Sequence, residues 1–557
     1  MKRLSFALLL LFFVLTASAC GLTTTTSTPS ITTSTTASLP ITSSTSESSS
    51  TSNLTTASSQ SPSTAVSTSS GVLTTTSPVT STSPTTIQTT TVPTTTTQTT
   101  TQTTITTVST TSTTTSNSIL ITTSPVQPLI PTDYEKLQDK LPVIGLPSRG
   151  NVRVLVFVVD FSDFPAASSG MSIAQVNTAF NGLPNQTAYE SLQSYYWKSS
   201  YGQLNITADV FGFYRAENPA SYYENEYYKL YATDNLGNYL YDEDEVTYPD
   251  SDLIYELLLF YDSLIDYSDF DSNNDGYIDA IYIIYTAPVS FESGSDLWWA
   301  YQDIYAYEGD IFDGVEPYYF MWSGIDFFFE NTEEIDSRTI IHETGHLLGL
   351  EDYYDYDPEG STNHGGLGGA DMMDNTVGDH NPFSKLLLGW VTPQVVNQSM
   401  TVQIRPFESS GDMLLIAANW NGTIFTEYLI VSYYTPTGLN QADSQRIFTI
   451  PGIIIYHVNA SWAGEMDYDS YYPSYYHSNN SDTIEKLLKI IEADMGNEIE
   501  DYSLAQDSDL FQVGDIFKQN VYANYQWINE TSGPMNFTIS IDALTPTSAT
   551  ITINFPN

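Results

Sequence analysis

The stretch His342–Asp352, reading H-E-T-G-H-L-L-G-L-E-D, constrains this 557-residue chain more than any other feature. Two histidines four residues apart share one face of an α-helix, because the helix turns every 3.6 residues. That face can offer two imidazole nitrogens to one metal ion. Glu343 follows the first histidine, so its carboxylate projects near such an ion without ligating it. This is the spacing of two zinc ligands plus a general base for an activated water. Gly349 stands where a left-handed residue ends a helix in a sharp turn. That turn can bring Asp352 back as a third ligand. Three protein ligands leave a fourth position open, which suits a catalytic zinc site rather than a structural one.

Five residues with three fixed positions also match by chance, on a surface helix whose histidines do nothing. Three features argue otherwise. Gly349 and Asp352 extend the pattern at the offsets a returning ligand requires. Ile340, Ile341, Leu347, Leu348 and Leu350 suit a buried helix, and a buried His-Glu-His cluster needs a reason to exist. Downstream, Asp371-Met372-Met373-Asp374 follows the glycines 365, 366, 368 and 369. A methionine turn at Met373 is the element that follows extended zinc motifs of metzincin type. Spacing alone implies a hydrolytic zinc site with His342, His346 and Asp352 as ligands and Glu343 as base.

Further segments carry a resemblance. They are V-R-V-L-V-F-V-V-D-F-S-D at Val152–Asp163, S-Y-G-Q-L at Ser200–Leu204 and F-S-K-L-L-L-G-W at Phe383–Trp390. P-G-I-I-I-Y-H-V at Pro451–Val458 and I-I-E-A-D at Ile490–Asp494 extend the set. Together with H-E-x-x-H-x-x-G-x-x-D, these segments make the chain resemble secreted metallopeptidases of the immune inhibitor A type, a metzincin-like family. Aspartate there replaces the third histidine of most metzincins, and Asp352 fills that position here. The resemblance covers roughly residues 145 to 545. It implies a zinc-dependent endopeptidase acting on proteins or peptides. A peptidase-like binding or adhesion protein without activity is the alternative, against which the intact Glu343 argues.

The N-terminus begins Lys2-Arg3 and continues with an apolar run from Leu4 to Ala17, then Ala17-Ser18-Ala19. That pattern is a signal peptide, residues 1–19, too short for a transmembrane span. Cys20 is the chain's only cysteine. Its place after the cleavage site suggests lipid attachment and membrane anchoring, although Ala17 stands where lipoprotein signals usually place leucine. No intrachain disulfide can form. From Leu22 to Ser124 the chain is nearly all Thr and Ser, with too few apolar side chains to offset the entropy of folding. Such tracts read as O-glycosylated stalks, here extending on the order of 300 Å. A spacer that lifts the folded part off a surface and a plain linker both fit. The expected location is extracellular, secreted or surface-anchored. Sequons such as Asn185, Asn205, Asn421 and Asn529 allow N-glycosylation.

The formal charge is −49, from 65 acidic against 16 basic residues. Such a surface repels nucleic acid and anionic membranes. An acidic native environment would bring it near neutrality around the pI of 4.1. A monomer is expected.

The fold class read from the pattern is α+β. A metzincin-like catalytic domain with a mixed β-sheet and a zinc-binding active-site helix spans residues 131–395. A β-rich C-terminal domain spans 396–557, and a disordered Ser/Thr-rich stalk spans 20–130. Val152–Val159 and Ile278–Tyr285 read as strands; Ala188–Ser199 and Leu253–Ile265 read as helices. The zinc helix starts near Asp336 or Ser337, either able to cap it. Short β runs recur at Thr401–Arg405, Tyr428–Tyr433, Gly452–His457 and Ala549–Phe555.

A second constellation is Asp271-Ser272-Asn273-Asn274-Asp275-Gly276-Tyr277-Ile278-Asp279. Asp271, Asn273, Asp275, Tyr277 and Asp279 match the first positions of a calcium loop. Tyr282 stands at the twelfth position, where a bidentate glutamate is usual. Structural calcium and a metal-free turn remain the two readings. His380, after the methionine turn, can face the cleft and stabilise an oxyanion, or be an ordinary loop histidine. His364, His457 and His477 are linked to no chemistry.

Overall fold

Residues 150–160 are apolar at nearly every position from Val152 on, and both faces of such a strand need cover. In the computed structural model of the chain they form an interior strand, second from the edge of a five-stranded sheet. The structure describes residues 134–555, apart from 142–143, 231, 233–239, 241–246, 290–295, 330–333, 357–365, 418–419, 468–473, 482–484, 502, 519–520, 523–524 and 526–536. The signal peptide, Cys20, the stalk, His364 and Asn529 lie outside the described residues.

The first sheet contains β1 (Gly150–Asp160), β2 (Leu204–Arg215), β3 (Ile281–Tyr285), β4 (Tyr301–Ile304) and β5 (Tyr319–Gly324). Its order is β2-β1-β3-β5-β4. The pairs β1–β2, β1–β3 and β3–β5 are parallel, and β4 closes the edge antiparallel to β5. Alternation along β1 divides its side chains between two cores. Val152, Val154, Val156 and Val158 join one cluster with Ile340, Ile341 and Met373. Leu155, Phe157 and Val159 join another, under the helix Pro249–Tyr261 that supplies Leu253, Leu257 and Tyr261. Each large apolar side chain sealed this way contributes about 1.5–3 kcal/mol.

The largest differences between the element boundaries and the pattern reading fall at three places. The helix expected from Ala188 begins at Leu192, where Ser191 caps it by accepting the Ser194 N–H at 3.1 Å. The helix expected over Leu253–Ile265 runs Pro249–Tyr261, since Pro249 opens it at the first turn. Leu264, inside the expected span, lies beyond the helix and is 73% exposed. The strand expected from Ile278 begins at Ile281, because the backbone of Ile278 and Asp279 bonds instead to Glu316 and Phe270.

After Trp390 the chain is β-rich. A second sheet comprises β6 (Gln394–Val395), β8 (Met413–Ile416), β9 (Glu427–Tyr434), β10 (Gly452–Asn459) and β13 (Leu488–Ile490), in the order β13-β10-β9-β8-β6. β11 (Trp462–Asp467) and β12 (Ser474–Tyr476) pair with each other. β7 (Met400–Ile404), β14 (Ile516–Lys518), β15 (Thr538–Thr545) and β16 (Ser548–Asn554) form an antiparallel sheet in the order β14-β15-β16-β7. One face of the second sheet, with Ile430, Ile454 and Tyr456, belongs to the same cluster as Ile340 and Met373. Its other face, with Leu429, Val431 and Ile455, packs on Ile539 and Ile551. Residues on both sides of position 395 thus share one core beneath the motif helix. The architecture is mixed α/β, with parallel and antiparallel pairs in its two larger sheets.

Candidate metal centre

The motif helix runs Arg338–Leu347. Of the two candidate caps, Asp336 is the one used: its Oδ1 accepts the Arg338 N–H at 3.1 Å. The Ser337 hydroxyl instead donates to the Ala179 carbonyl at 3.0 Å. Arg338 anchors the same end, reaching Asp443 at 2.9 Å and the Thr376 carbonyl at 2.9 Å. The other end closes with two backbone bonds, Gly349 N–H to His346 O at 2.8 Å and Leu350 N–H to Gly345 O at 3.0 Å. That pair is the Schellman arrangement, and it needs the left-handed φ of +90° at Gly349.

The reversal carries Asp352 onto the histidine face. Asp352 Oδ1 lies 3.0 Å from His342 Nε2 and 3.4 Å from His346 Nε2. His342, His346 and Asp352 each offer one ligand atom, all within 4.8 Å of one another. The far ring nitrogens are tied to backbone: His342 Nδ1 to Met372 O and His346 Nδ1 to Leu350 O, both at 2.8 Å. A carbonyl can only accept, so both Nδ1 atoms carry hydrogen. In the neutral ring this leaves each Nε2 lone pair pointing into the site. Asp352 Oδ1 is buried and makes no hydrogen bond. An orphaned carboxylate oxygen between two imidazole lone pairs is what a bound cation satisfies, and an N₂O donor set with room beyond it fits zinc.

The charges are strongly linked. Burial works against the ionised form of Asp352, but His346 and His342 outweigh it and hold the carboxyl well below its ordinary value. Burial opposes protonation of His346, and Asp352 overcomes it, raising His346 to about 9. Burial raises Glu343 above the usual glutamate range, against the pull of both histidines. Glu343 is 7% exposed beside the triad.

Met373 lies against the helix from below. A short helix, Met372–Asn375, is capped by Asp371, whose Oδ1 accepts the Met373 N–H at 2.8 Å. The second Asp371 oxygen accepts the Asn381 N–H at 2.7 Å. Asp374 Oδ2 accepts the N–H groups of Leu367 and Gly369 at 3.0 and 2.9 Å. The turn is bonded to both ends of the reversal, because Met372 O holds His342 and Met373 O holds the Tyr353 N–H.

His380 is placed differently from the cleft-facing role weighed above. It is 2% exposed, with both ring nitrogens sealed and without a hydrogen-bond partner. The rings of Tyr195, Tyr196 and Trp390 surround it at centroid distances of 5.5–6.1 Å. A donor to an oxyanion needs an N–H that faces the cleft, and His380 has none. Burial, with Lys385 nearby, holds it well below the usual histidine range.

The Asp-rich loop folds as a tight turn. Asp271 accepts the N–H groups of Asp275 and Gly276 at 3.0 Å each. Asn273 Oδ1 accepts the Asp275 N–H at 3.2 Å, and Asp275 Oδ1 accepts the Tyr277 N–H at 2.9 Å. Asp279 Oδ1 is buried without a partner. Tyr282 points away, bonding Thr344 of the motif helix at 2.9 Å. Its place in β3 explains why the twelfth position carries no carboxylate.

Two contributors escaped the sequence reading. Tyr356 hydroxyl donates to Asp352 Oδ2; the run Tyr353-Tyr354-Asp355-Tyr356 was its signal, but a tyrosine four residues past a ligand has no spacing rule. Gly345 was visible inside the motif, yet its closeness to Met373 depends on a turn about thirty residues away.

Comparison with known proteins adds little. No protein-family model matches the chain, and no curated protein matches it. Among solved structures it is similar to wild type OgpA from Akkermansia muciniphila, with 14% identity, a TM-score of 0.19, and coverage of 59% of this chain and 95% of that chain. It is also similar to catalytic inactive OgpA from that organism in complex with an O-glycopeptide (glycodrosocin) substrate, with 13% identity, a TM-score of 0.20, and coverage of 60% and 95%. TM-scores this low establish no shared fold, and the functional reading rests on the chain's own residues.

Proposed function

We propose that this chain is a zinc-dependent, metzincin-like endopeptidase of the immune inhibitor A type, cleaving proteins or peptides outside the cell. The observation that carries the proposal is the convergence of both Nε2 atoms on the unpartnered Oδ1 of Asp352, with Glu343 buried alongside. His342, His346 and Asp352 hold the ion. When bound, zinc supplies the Lewis acidity that such hydrolysis needs. Met372 O and Leu350 O fix the two rings by holding their Nδ1 hydrogens. Glu343 takes a proton from the attacking water at its carboxylate and delivers it to the nitrogen of the leaving amine.

The N-terminal signal, Cys20 and the Ser/Thr tract support export, with or without a lipid tether. The buried free oxygen of Asp279 supports structural calcium at the Asp271–Asp279 loop. The alternative, a retired peptidase that only binds, leaves the retention of Glu343 without a reason. Zinc content and casein digestion of Glu343→Ala decide between them. The variant should keep zinc at wild-type stoichiometry and lose at least a hundredfold in rate. Cleavage within tenfold of wild type removes Glu343 as the base.

A further inference from the structure

We propose that the C-terminal β region completes the candidate metal centre, with Glu351 as the positioning residue that keeps Asp352 on the histidine face; this rests on the reading of His342, His346 and Asp352 as zinc ligands. The two histidines need no such help. One helix relates them, and Met372 O and Leu350 O fix their rings. Asp352 stands beyond the helix end at Leu347, on a segment that belongs to no helix or strand among the described residues. Irregular backbone keeps one conformation only where its contacts offset the entropy of ordering it.

Such contacts come from residues 123 to 131 positions further along the chain. The Ser474 hydroxyl lies 2.7 and 2.9 Å from the two Glu351 oxygens and donates to that carboxylate. The Tyr475 N–H donates to Glu351 Oε1 at 3.1 Å. Asn480 Nδ2 donates to the Tyr353 carbonyl at 2.8 Å, and the Tyr356 N–H donates to Ser481 Oγ at 2.8 Å. The Lys486 ammonium meets the Asp355 carboxylate at 2.8 Å, a pair whose side chains are 9% and 8% exposed. Glu351, Tyr353, Asp355 and Tyr356 are thus bonded to residues 474–486, while the Asp352 carboxylate faces His342 and His346.

The clamp is itself anchored. Tyr476 of β12 is buried, and its ring packs on Phe383 and Phe425 at centroid distances of 6.4 Å each. Phe383 belongs to the helix that follows the methionine turn. The turn and that helix hold the same segment independently: Met373 O accepts the Tyr353 N–H at 2.9 Å, and the Tyr353 hydroxyl lies 2.8 Å from Ser384 Oγ. The ligand segment therefore has two supports, one of them supplied by the C-terminal β region. Glu351 acts through the backbone it shares with Asp352. Outer partners that orient a metal ligand are worth about 10–100-fold in affinity.

Zinc affinity of the full chain, read by chelator competition, tests the clamp. Ser474→Ala and Glu351→Ala delete the same bonds from opposite ends, and Ser474→Ala removes a single oxygen, so it is the milder change. Each should weaken zinc binding by about tenfold or more. The double variant should bind no more weakly than Glu351→Ala alone. Asp352→Ala should cost more than either. In that background Ser474→Ala should change the affinity by less than about twofold, since its effect runs through the lost ligand. Circular dichroism of the metal-free variants checks that each is folded. Wild-type affinity in Ser474→Ala and Glu351→Ala, beside a weakened Asp352→Ala, overturns the clamp and leaves the ligand assignment standing. An equal loss from Ser474→Ala with and without the Asp352 carboxylate makes the contact a general support of the fold, and overturns it too. Undiminished zinc binding by Asp352→Ala removes the third ligand and the clamp with it.

Discussion

The sulfur of Met373 occupies the space where a side chain on Gly345 would begin: a Cβ placed there would lie 2.2 Å from Sδ. Gly345 is the fourth residue of the H-E-T-G-H motif, between the two candidate metal-binding histidines. The turn at Met373 therefore packs directly against the helix that carries both candidate histidine ligands.

Gly345→Ala tests that contact by its sign. In an ordinary helix interior the change stabilises by roughly 0.5–1 kcal/mol. Here overpacking should outweigh the gain and destabilise by about 1–3 kcal/mol. Thermal melts of metal-free protein read the difference. A variant at least as stable as wild type would show that Met373 moves aside freely.

Tyr356→Phe removes the hydroxyl that donates to Asp352 Oδ2. Hydrogen bonds that orient a ligand are worth about 10–100-fold in metal affinity. Competition against a chromophoric chelator should register a loss in that range, with the fold unchanged by circular dichroism. Wild-type affinity in the variant would leave Asp352 oriented by its backbone alone.

Zinc uptake should depend steeply on pH. Without metal, His346 titrates at about 9 beside Asp352, and both histidines must be neutral to ligate. A proton must therefore leave as the ion enters. Affinity should rise from pH 6 to pH 8 by at least tenfold, with protons released in an unbuffered titration. A pH-independent affinity contradicts the assigned ligands.

The rest of the fold points the other way. Burial raises Asp371 to about 7 and Asp374 to about 8. A carboxyl whose folded pKa lies above its unfolded value of about 3.9 stabilises the fold fully below that value. The contribution disappears as pH rises through the folded pKa. Metal-free stability should therefore be greatest near pH 4 and fall toward pH 8. Urea midpoints across that range measure it, and Asp374→Asn should flatten the slope. If both proteins lose stability equally between pH 5 and 8, Asp374 is not a source. If the metal-free fold favours acid while the candidate metal site favours higher pH, the metal-loaded form has a range bounded on both sides.

The geometry of the candidate metal centre was legible because its parts are close in sequence. His342, Glu343 and His346 are related by helix period, and Asp352 by one glycine-ended turn, so local geometry suffices. β1 was legible too, since a long β-branched apolar run has few other uses. Boundaries were less so. Pro249 and Ser191 mark the true helix starts, whereas the patterned spans begin at Leu253 and Ala188.

Other placements had no local signal. Whether His380 faced the cleft or the core depended on Tyr195, Tyr196 and Trp390, which come from two separate stretches of chain. The pairing of β7 with β16 joins Ile404 to Ala549, and alternating Val, Ile and Thr name a strand without naming its partner. Ser474 reads as one serine among many until folding seats its hydroxyl on Glu351.

By itself, then, the sequence determined what the candidate site offers: which atoms can ligate, and which carboxylate can move a proton. These follow from residue type and helix period, which are properties of neighbours along the chain. Tertiary structure decided which oxygen was left without a partner, which histidine was sealed away, and which glycine had to stay bare beneath the motif. Those outcomes depend on burial, and burial is a property of the whole packed chain.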